Sequence, residues 1–100
     1  MVCRAAVKIY DLRQDKEMII PCHRHCDVFL ILKEFGYKKG EDYKEIEQGF
    51  LDEYDRFMSR TEAWWEARNC DQFKQEYKEE LVREIYHPTI TQQLFSEDVW

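Results

Sequence analysis

The sequence lacks long apolar runs and an export signal. No stretch approaches the roughly 18 consecutive apolar residues of a membrane-spanning helix, and residues Met1 to Arg4 have no apolar signal-peptide core. No internal repeat or low-complexity segment is present. We therefore expect a protein of the cytoplasm that has no membrane contact.

Sequence patterns typical of catalysis are also absent. The chain has no Gly-x-Ser-x-Gly nucleophile elbow, no phosphate-binding loop and no His-Glu-x-x-His zinc motif. Cys–His pairs occur only as neighbours in the segment Cys22 to Cys26. A nucleophilic role for Cys22 or Cys26 is an alternative, but nothing in the sequence orients such a pair. We expect a binding protein rather than an enzyme, and no cofactor.

Acidic residues outnumber basic ones by 21 to 15, which gives a formal net charge of −6. This charge is spread along the chain and argues against non-specific nucleic-acid binding, which requires Lys and Arg to neutralise phosphates. With 44% hydrophobic residues, 100 residues can bury one core, so we expect a single domain, 1–100. The four cysteines are expected to be free thiols in a reducing compartment.

The first half of the chain changes from a strand period to a helix period. Alternating apolar residues from Ala5 to Tyr10 predict a strand. Met18 to Ile20, stopped by Pro21, predict the second strand of a hairpin. A helical stripe that Gly36 can terminate follows. Its members are Val28, Ile31, Leu32 and Phe35.

The second half repeats this order. We predict strands over 45–51 and 56–58, joined by the acidic turn 52–55. Ser59 and Glu62 form a capping box that starts a helix, with a break at 69–72. A second stripe ends before His87-Pro88, and the apolar segment 94–100 is expected to dock. That stripe comprises Phe73, Tyr77, Leu81 and Ile85. The expected fold class is α+β, a small antiparallel sheet of two hairpins packed against two or three helices.

The densest polar cluster, Cys22 to Asp27, lies where a strand is expected to end and a helix to begin. Free N–H groups at a helix start, together with Arg24 and the imidazoles, suit an anion such as phosphate. Alternatively, Asp27 simply caps the helix and the other residues are solvated. Cys22 and Cys26 have a plausible spacing for zinc, but residues so close in sequence do not easily converge on one ion, so no metal is expected.

A second constellation lies before the capped helix and combines aromatic rings with guanidinium groups. Its residues are Gln48, Phe50, Arg56, Phe57 and Arg60. Rings can stack a base while arginines bind phosphates, which suits a nucleotide. In the alternative interpretation the phenylalanines are core residues and the arginines are surface charges. Trp64 and Trp65 are adjacent on a helix, so at least one indole is exposed unless another surface covers it.

Four sequence blocks resemble a family of small phage and prophage proteins. They are Arg24-His25, Glu47 to Leu51, Arg56 to Ala63 followed by Gln72, and Leu94 to Asp98. The family is similar to the phage anti-Thoeris sponge proteins, which sequester a cyclic ADP-ribose immune signal without cleaving it. The chain departs from this pattern at Asn69 to Asp71, which lacks a glycine, and in the longer helical segment Lys74 to Tyr86.

This resemblance implies an oligomer, at least a dimer, with nucleotide pockets at or between protomers. The positions that match are Arg24, His25, Gln48, Phe50, Arg56, Phe57, Arg60 and Gln72. The expected function is sequestration of a small anionic nucleotide-type signal in the host bacterial cytoplasm, counteracting anti-phage defence. The alternatives are an acidic inhibitor that occludes a basic protein partner and, third, a hydrolase of nucleotide signals.

Overall fold

The computed structural model describes residues 1–84 and 93–100. Two hairpins and three helices follow each other along the chain. They are β1 (Val2–Asp11), β2 (Lys16–Cys22), α1 (His25–Glu34), β3 (Tyr43–Asp52), β4 (Phe57–Ser59), α2 (Arg60–Asn69) and α3 (Gln75–Glu84), with a short 3₁₀ turn at Ser96–Asp98. The predicted α+β fold is confirmed. Within the described ranges, no helix is both long enough and apolar enough to cross a membrane.

The strands form one antiparallel sheet in the order β2-β1-β3-β4. Ala5 of β1 is opposite Cys22 on one side and Phe50 on the other, so these three side chains share a face. The prediction that Pro21 ends its strand is wrong, because Pro21 pairs with Ala6 and β2 continues to Cys22. β2 lies at the sheet edge, where proline's missing N–H removes no necessary ladder hydrogen bond.

The helices and the core lie on the sheet face that carries Ala5, Val7 and Ile9. One cluster joins Val7 and Ile9 to Val28 and Leu32 of α1. The other cluster joins the sheet to α2 and to segment 93–100. Its buried members are Val2, Ala5, Phe50, Ala63, Trp64, Ala67, Phe73 and Leu94.

Helix α1 ends as its glycine predicts, but only half of its predicted apolar stripe is buried. Gly36 has φ +77°, and the N–H groups of Gly36 and Tyr37 donate to Lys33 and Leu32, which makes a Schellman motif. Ile31 and Phe35 are 49% and 73% exposed, because α1 meets the sheet along the narrow line of Val28 and Leu32.

Helix α2 begins with the predicted capping box. The N–H of Glu62 donates to Ser59 Oγ (3.1 Å), and the N–H of Ser59 donates to the Glu62 carboxylate (3.4 Å). As predicted, one adjacent indole is exposed: Trp64 is 6% exposed and Trp65 40%.

The predicted break after α2 and the docking of the last segment are confirmed. Asp71 has φ 53° in the break between α2 and α3. Leu94 is fully buried, and its N–H donates to the Arg60 carbonyl at 3.0 Å. Phe73 precedes α3 rather than lying on it. The predicted end of the stripe, at Ile85 and His87-Pro88, lies outside the described residues.

Candidate functional site

The first residues of α1 and α2 meet beside β3, underneath segment 93–100. Arg24 immediately precedes α1, and Arg60 is the first residue of α2. Gln48 is opposite Val7 and therefore lies on the helix-covered face of the sheet. We call Arg24, His25, Gln48 and Arg60 the arginine cluster. It combines four of the predicted site residues, drawn from both sequence constellations.

Arg60 is held between β3 and segment 93–100. Its Nη2 donates to Gln48 Oε1, and Gln48 Nε2 in turn donates to Glu45 Oε1 at 2.7 Å. The guanidinium carbon lies 4.6 Å from the centre of the Phe95 ring. The Arg60 Nε–H is buried and has no hydrogen-bond partner among the described residues.

Arg24 contacts the end of the same segment. Its Nη2 donates to the main-chain oxygen of Trp100 at 2.6 Å. Its main-chain N–H donates to the Asp27 carboxylate at 3.3 Å, so Asp27 also caps α1, as the alternative interpretation of this segment held. The Arg24 Nη1 is buried, and it too has no partner in the described part of the chain.

His25 is a buried, hydrogen-bonded imidazole. Nε2–H donates to the Gly49 carbonyl at 2.8 Å, and the Phe50 ring meets the imidazole edge-on at 5.2 Å. Burial lowers the pKa of His25 below 6.5, and the positive charge of Arg60 lowers it further. The hydrogen bond to Gly49 and the negative charge of Glu97 raise this pKa but do not cancel the shift. At neutral pH the ring is therefore uncharged.

Glu97 supplies a negative charge near Arg24 and His25. Hydrogen bonds from its own main-chain N–H and from Ser96 lower the pKa of Glu97, and the positive charge of Arg24 adds to this effect. The carboxylate therefore stays ionised and partly balances the two guanidinium groups. Glu97 itself is exposed.

Two cavities adjoin the arginine cluster. A polar cavity of about 340 Å³ is lined by Gln48 and Arg60 together with the carboxylates of Glu45 and Glu47. A second cavity, of about 420 Å³, lies between the end of β2 and Trp100, whose main-chain oxygen accepts from Arg24. Its lining residues are Cys3, Arg4, Pro21, Cys22, His23 and Trp100. The first cavity has more negative than positive charge in its lining, whereas the second includes Arg4.

The remaining candidates lie apart from the exposed part of this site. Phe50 is fully buried beneath His25. Phe57 lies on the other face of the sheet, against Gly49 and 4.5 Å below the Lys8 ammonium. Arg56 is 72% exposed and paired with Asp52 at 2.8 Å. The ligand-binding roles of Phe50, Phe57 and Arg56 stay predictions.

Gln72 has a structural environment of its own. Its amide accepts from the Val2 N–H at 2.8 Å and donates to the Val2 carbonyl at 2.7 Å. This pair of bonds ties the end of α2 to the first strand, as a further β-ladder step would. Both polar atoms of the amide are thus bonded to the main chain. The predicted ligand role of Gln72 also stays a prediction.

Sequence reasoning missed Phe95, Glu97 and Trp100 as parts of the site. The apolar character of segment 94–100 predicts that it docks, but not where. Its contacts reach Arg24 and Arg60, which precede it by dozens of residues in the chain. Such a long-range contact has no local signal in one sequence.

The cysteine and histidine side chains of 22–26 point into different surroundings. All four cysteines are free. Burial is the main reason that the pKa of Cys22 is raised to about 11, so this thiol stays protonated at neutral pH. Among the described residues, no group of three His, Cys, Asp or Glu side chains is arranged to hold a metal ion.

One comparison with known proteins gives a match along the whole chain. The model of the family described as phage T4 y16D protein matches residues 1–100. No curated protein and no solved structure matches the chain.

Proposed function

The chain belongs to the phage T4 y16D protein family, and from this premise we propose that it is a non-catalytic binding protein that sequesters a small anionic nucleotide-type signal. In the infected host cell, such capture counteracts the bacterial anti-phage defence that the signal activates. The arginine cluster is the proposed phosphate-binding site. The ligand is released unchanged when the protein unfolds.

One observation carries this proposal: Arg24 Nη1 and Arg60 Nε are buried guanidinium groups without a hydrogen-bond partner among the described residues, and both arginines contact segment 93–100. A buried donor left unpaired costs about 1–3 kcal/mol, and more when it is charged. Native proteins therefore supply a partner, from the protein, water or an ion. Phosphate oxygens match arginine forks in charge and geometry, so a phosphorylated ligand relieves this cost.

The neutral groups of the cluster suit binding rather than turnover. His25 is uncharged and already donates to Gly49, and Gln48 presents an amide beside Arg60. Outside the cluster, the Cys22 thiol is protonated at neutral pH, with a pKa of about 11. These groups can position a ligand and read its polar edges without attacking it. A cyclic ADP-ribose-like ligand follows from the resemblance to the anti-Thoeris sponge proteins.

The exposed surface of α1 supports a homo-oligomer, at least a dimer. Leu30 and Ile31 of α1 and Phe35, which directly follows this helix, are 62%, 49% and 73% exposed. Neighbouring large apolar side chains on a surface mark interaction sites more often than isolated ones do. The same surface also supports the second candidate function, an acidic inhibitor of net charge −6 that occludes a basic protein partner.

The test is thermal unfolding of the purified protein against cyclic and linear nucleotides, with mass spectrometry of whatever is released on denaturation. A ligand at a hundred times its Kd adds about 2.7 kcal/mol to the unfolding free energy, which shifts Tm by several degrees. We expect an intact nucleotide that also stabilises the protein. Release of a cleaved product would indicate that the protein is an enzyme. Salt-sensitive binding to a basic protein, with no response to nucleotides, would favour the inhibitor.

Variants locate the phosphate site. Arg24→Gln and Arg60→Gln are each expected to weaken binding about thirtyfold or more, equivalent to about 2 kcal/mol, because a ligand charge loses its partner. Arg68→Gln is the matched control, since Arg68 lies in the last turn of α2 and is exposed. Arg56→Ala tests the outlying candidate, and a fall of less than about threefold counts against its predicted role.

A further inference from the structure

The cavity of about 420 Å³ between the end of β2 and Trp100 has the size of a small-molecule site. Three of its lining residues have ring side chains: Trp100, His23 and Pro21. The indole and the imidazole are 5.8 Å apart at an angle of 31°. Phe50, one of the two rings that the sequence predicts for stacking, is fully buried, whereas these rings line an open cavity.

Trp100 is held in place by contacts with the core and with Arg24. It rests against the Phe50 ring at 5.9 Å, and Phe50 is fully buried in the core. The main-chain oxygen of Trp100 is fixed by Arg24 Nη2 at 2.6 Å. A ring that is held from below and only partly covered loses little conformational freedom when a base stacks on it.

The charges around this cavity favour an anion. Among the described residues that line it, none is acidic, and Arg4 is cationic. Arg4 pairs with Asp55, but the two side chains are 48% and 69% exposed, so exchange of Asp55 for a phosphate costs little.

We infer that the aromatic base of a nucleotide stacks on Trp100 in this cavity, with its phosphates directed to Arg4 and to Arg24. This inference rests on the proposed function and names the part of the ligand that the arginine cluster does not bind. Trp100 joins the two parts, because its indole lines the cavity and its main-chain oxygen accepts from Arg24.

The test is calorimetric titration of the full chain with ADP and with pyrophosphate, which has the phosphates without the base. We expect ADP to bind at least about tenfold more tightly than pyrophosphate, the range of one base–aromatic stack. Trp100→Leu should remove this advantage and leave pyrophosphate affinity within about twofold. Trp65→Leu, which changes a 40%-exposed indole elsewhere on the molecule, should keep it.

The outcomes separate this inference from the proposed function. Equal affinities for ADP and pyrophosphate in the wild type, or an ADP advantage that survives Trp100→Leu, would overturn the base site and leave the phosphate site standing. No binding of either compound would overturn both. Pyrophosphate binding by Trp100→Leu also reports that this variant folds, and Trp100→Phe, which keeps a ring on Phe50, should retain part of the ADP advantage.

Discussion

His25 connects the core to the charged groups of the site. Its Nε2–H is committed to the Gly49 carbonyl, and its ring lies on Phe50. Arg60 opposes a positive charge on the imidazole, whereas Glu97 and Glu45 favour one. Protonation therefore brings a third positive charge next to Arg24 and Arg60, whose buried donors lack partners in the described part of the chain.

The lowered pKa of His25 makes stability pH-dependent. In the unfolded chain the imidazole titrates near 6.5, and in the folded protein at lower pH. Between these two values the unfolded state binds more protons, so the unfolding free energy falls as pH drops below about 6.5. Urea denaturation at pH 7.5 and 5.5 should show this loss in the wild type.

His25→Asn should reduce that loss, because the titrating ring is gone. His23→Asn is the matched control, since His23 is an exposed imidazole two residues away. An unchanged pH dependence in His25→Asn would contradict the assignment.

Gly49 is required for steric reasons. A Cβ at this position would lie 2.2 Å from the Met58 carbonyl oxygen and 2.6 Å from a Phe57 ring carbon. Gly49→Ala is therefore expected to lower the unfolding free energy by about 3 kcal/mol, as measured by urea denaturation. Gly40→Ala, with φ +88° but open space around the Cβ, should cost about 1–2 kcal/mol. Equal costs would show that the contact with β4 is not the reason.

At the scale of elements, the capping box sets both the start of α2 and the position of Arg60. Ser59→Ala removes the acceptor of the Glu62 N–H and should cost about 1 kcal/mol in urea denaturation. Thr61→Ala, two residues on and exposed, is the control and should change stability by less than about 0.5 kcal/mol. A neutral Ser59→Ala would mean that tertiary contacts alone hold this helix start.

The elements with local signals could be predicted from the sequence. Alternation identified β1, the Ser59–Glu62 pair identified the start of α2, and Gly36 identified the end of α1. The sheet order could not be predicted, because the pairing of β1 with β3 joins Ala5 to Phe50, far along the chain. Likewise, Gln72 is bound by Val2 and Arg24 by Trp100 through contacts that only the folded chain creates.

At the scale of the whole molecule, the exposed apolar surface of α1 and the proposed nucleotide site lie on different parts of the structure. Leu30 and Ile31 lie on α1 beyond its first turn and Phe35 directly follows the helix, whereas the proposed site surrounds the start of α1. A mutation on this surface therefore changes self-association without replacing a residue of the proposed site. If a pocket needs residues from two protomers, as the resemblance implies, a monomeric variant should lose ligand affinity as well.

Phe35→Glu tests the oligomer through this surface. Phe35 is 73% exposed, so the variant should fold, while a carboxylate in an apolar interface is costly to desolvate. Sedimentation velocity at micromolar concentration should give a dimer or larger species for the wild type and a monomer for Phe35→Glu. Tyr54→Glu is the matched control, since Tyr54 is 72% exposed at the β3–β4 turn and should leave the mass unchanged. A monomeric wild type, or a Phe35→Glu variant of unchanged mass, would exclude α1 as the oligomer contact, and ligand titration of the same samples would show whether capture needs one protomer or two.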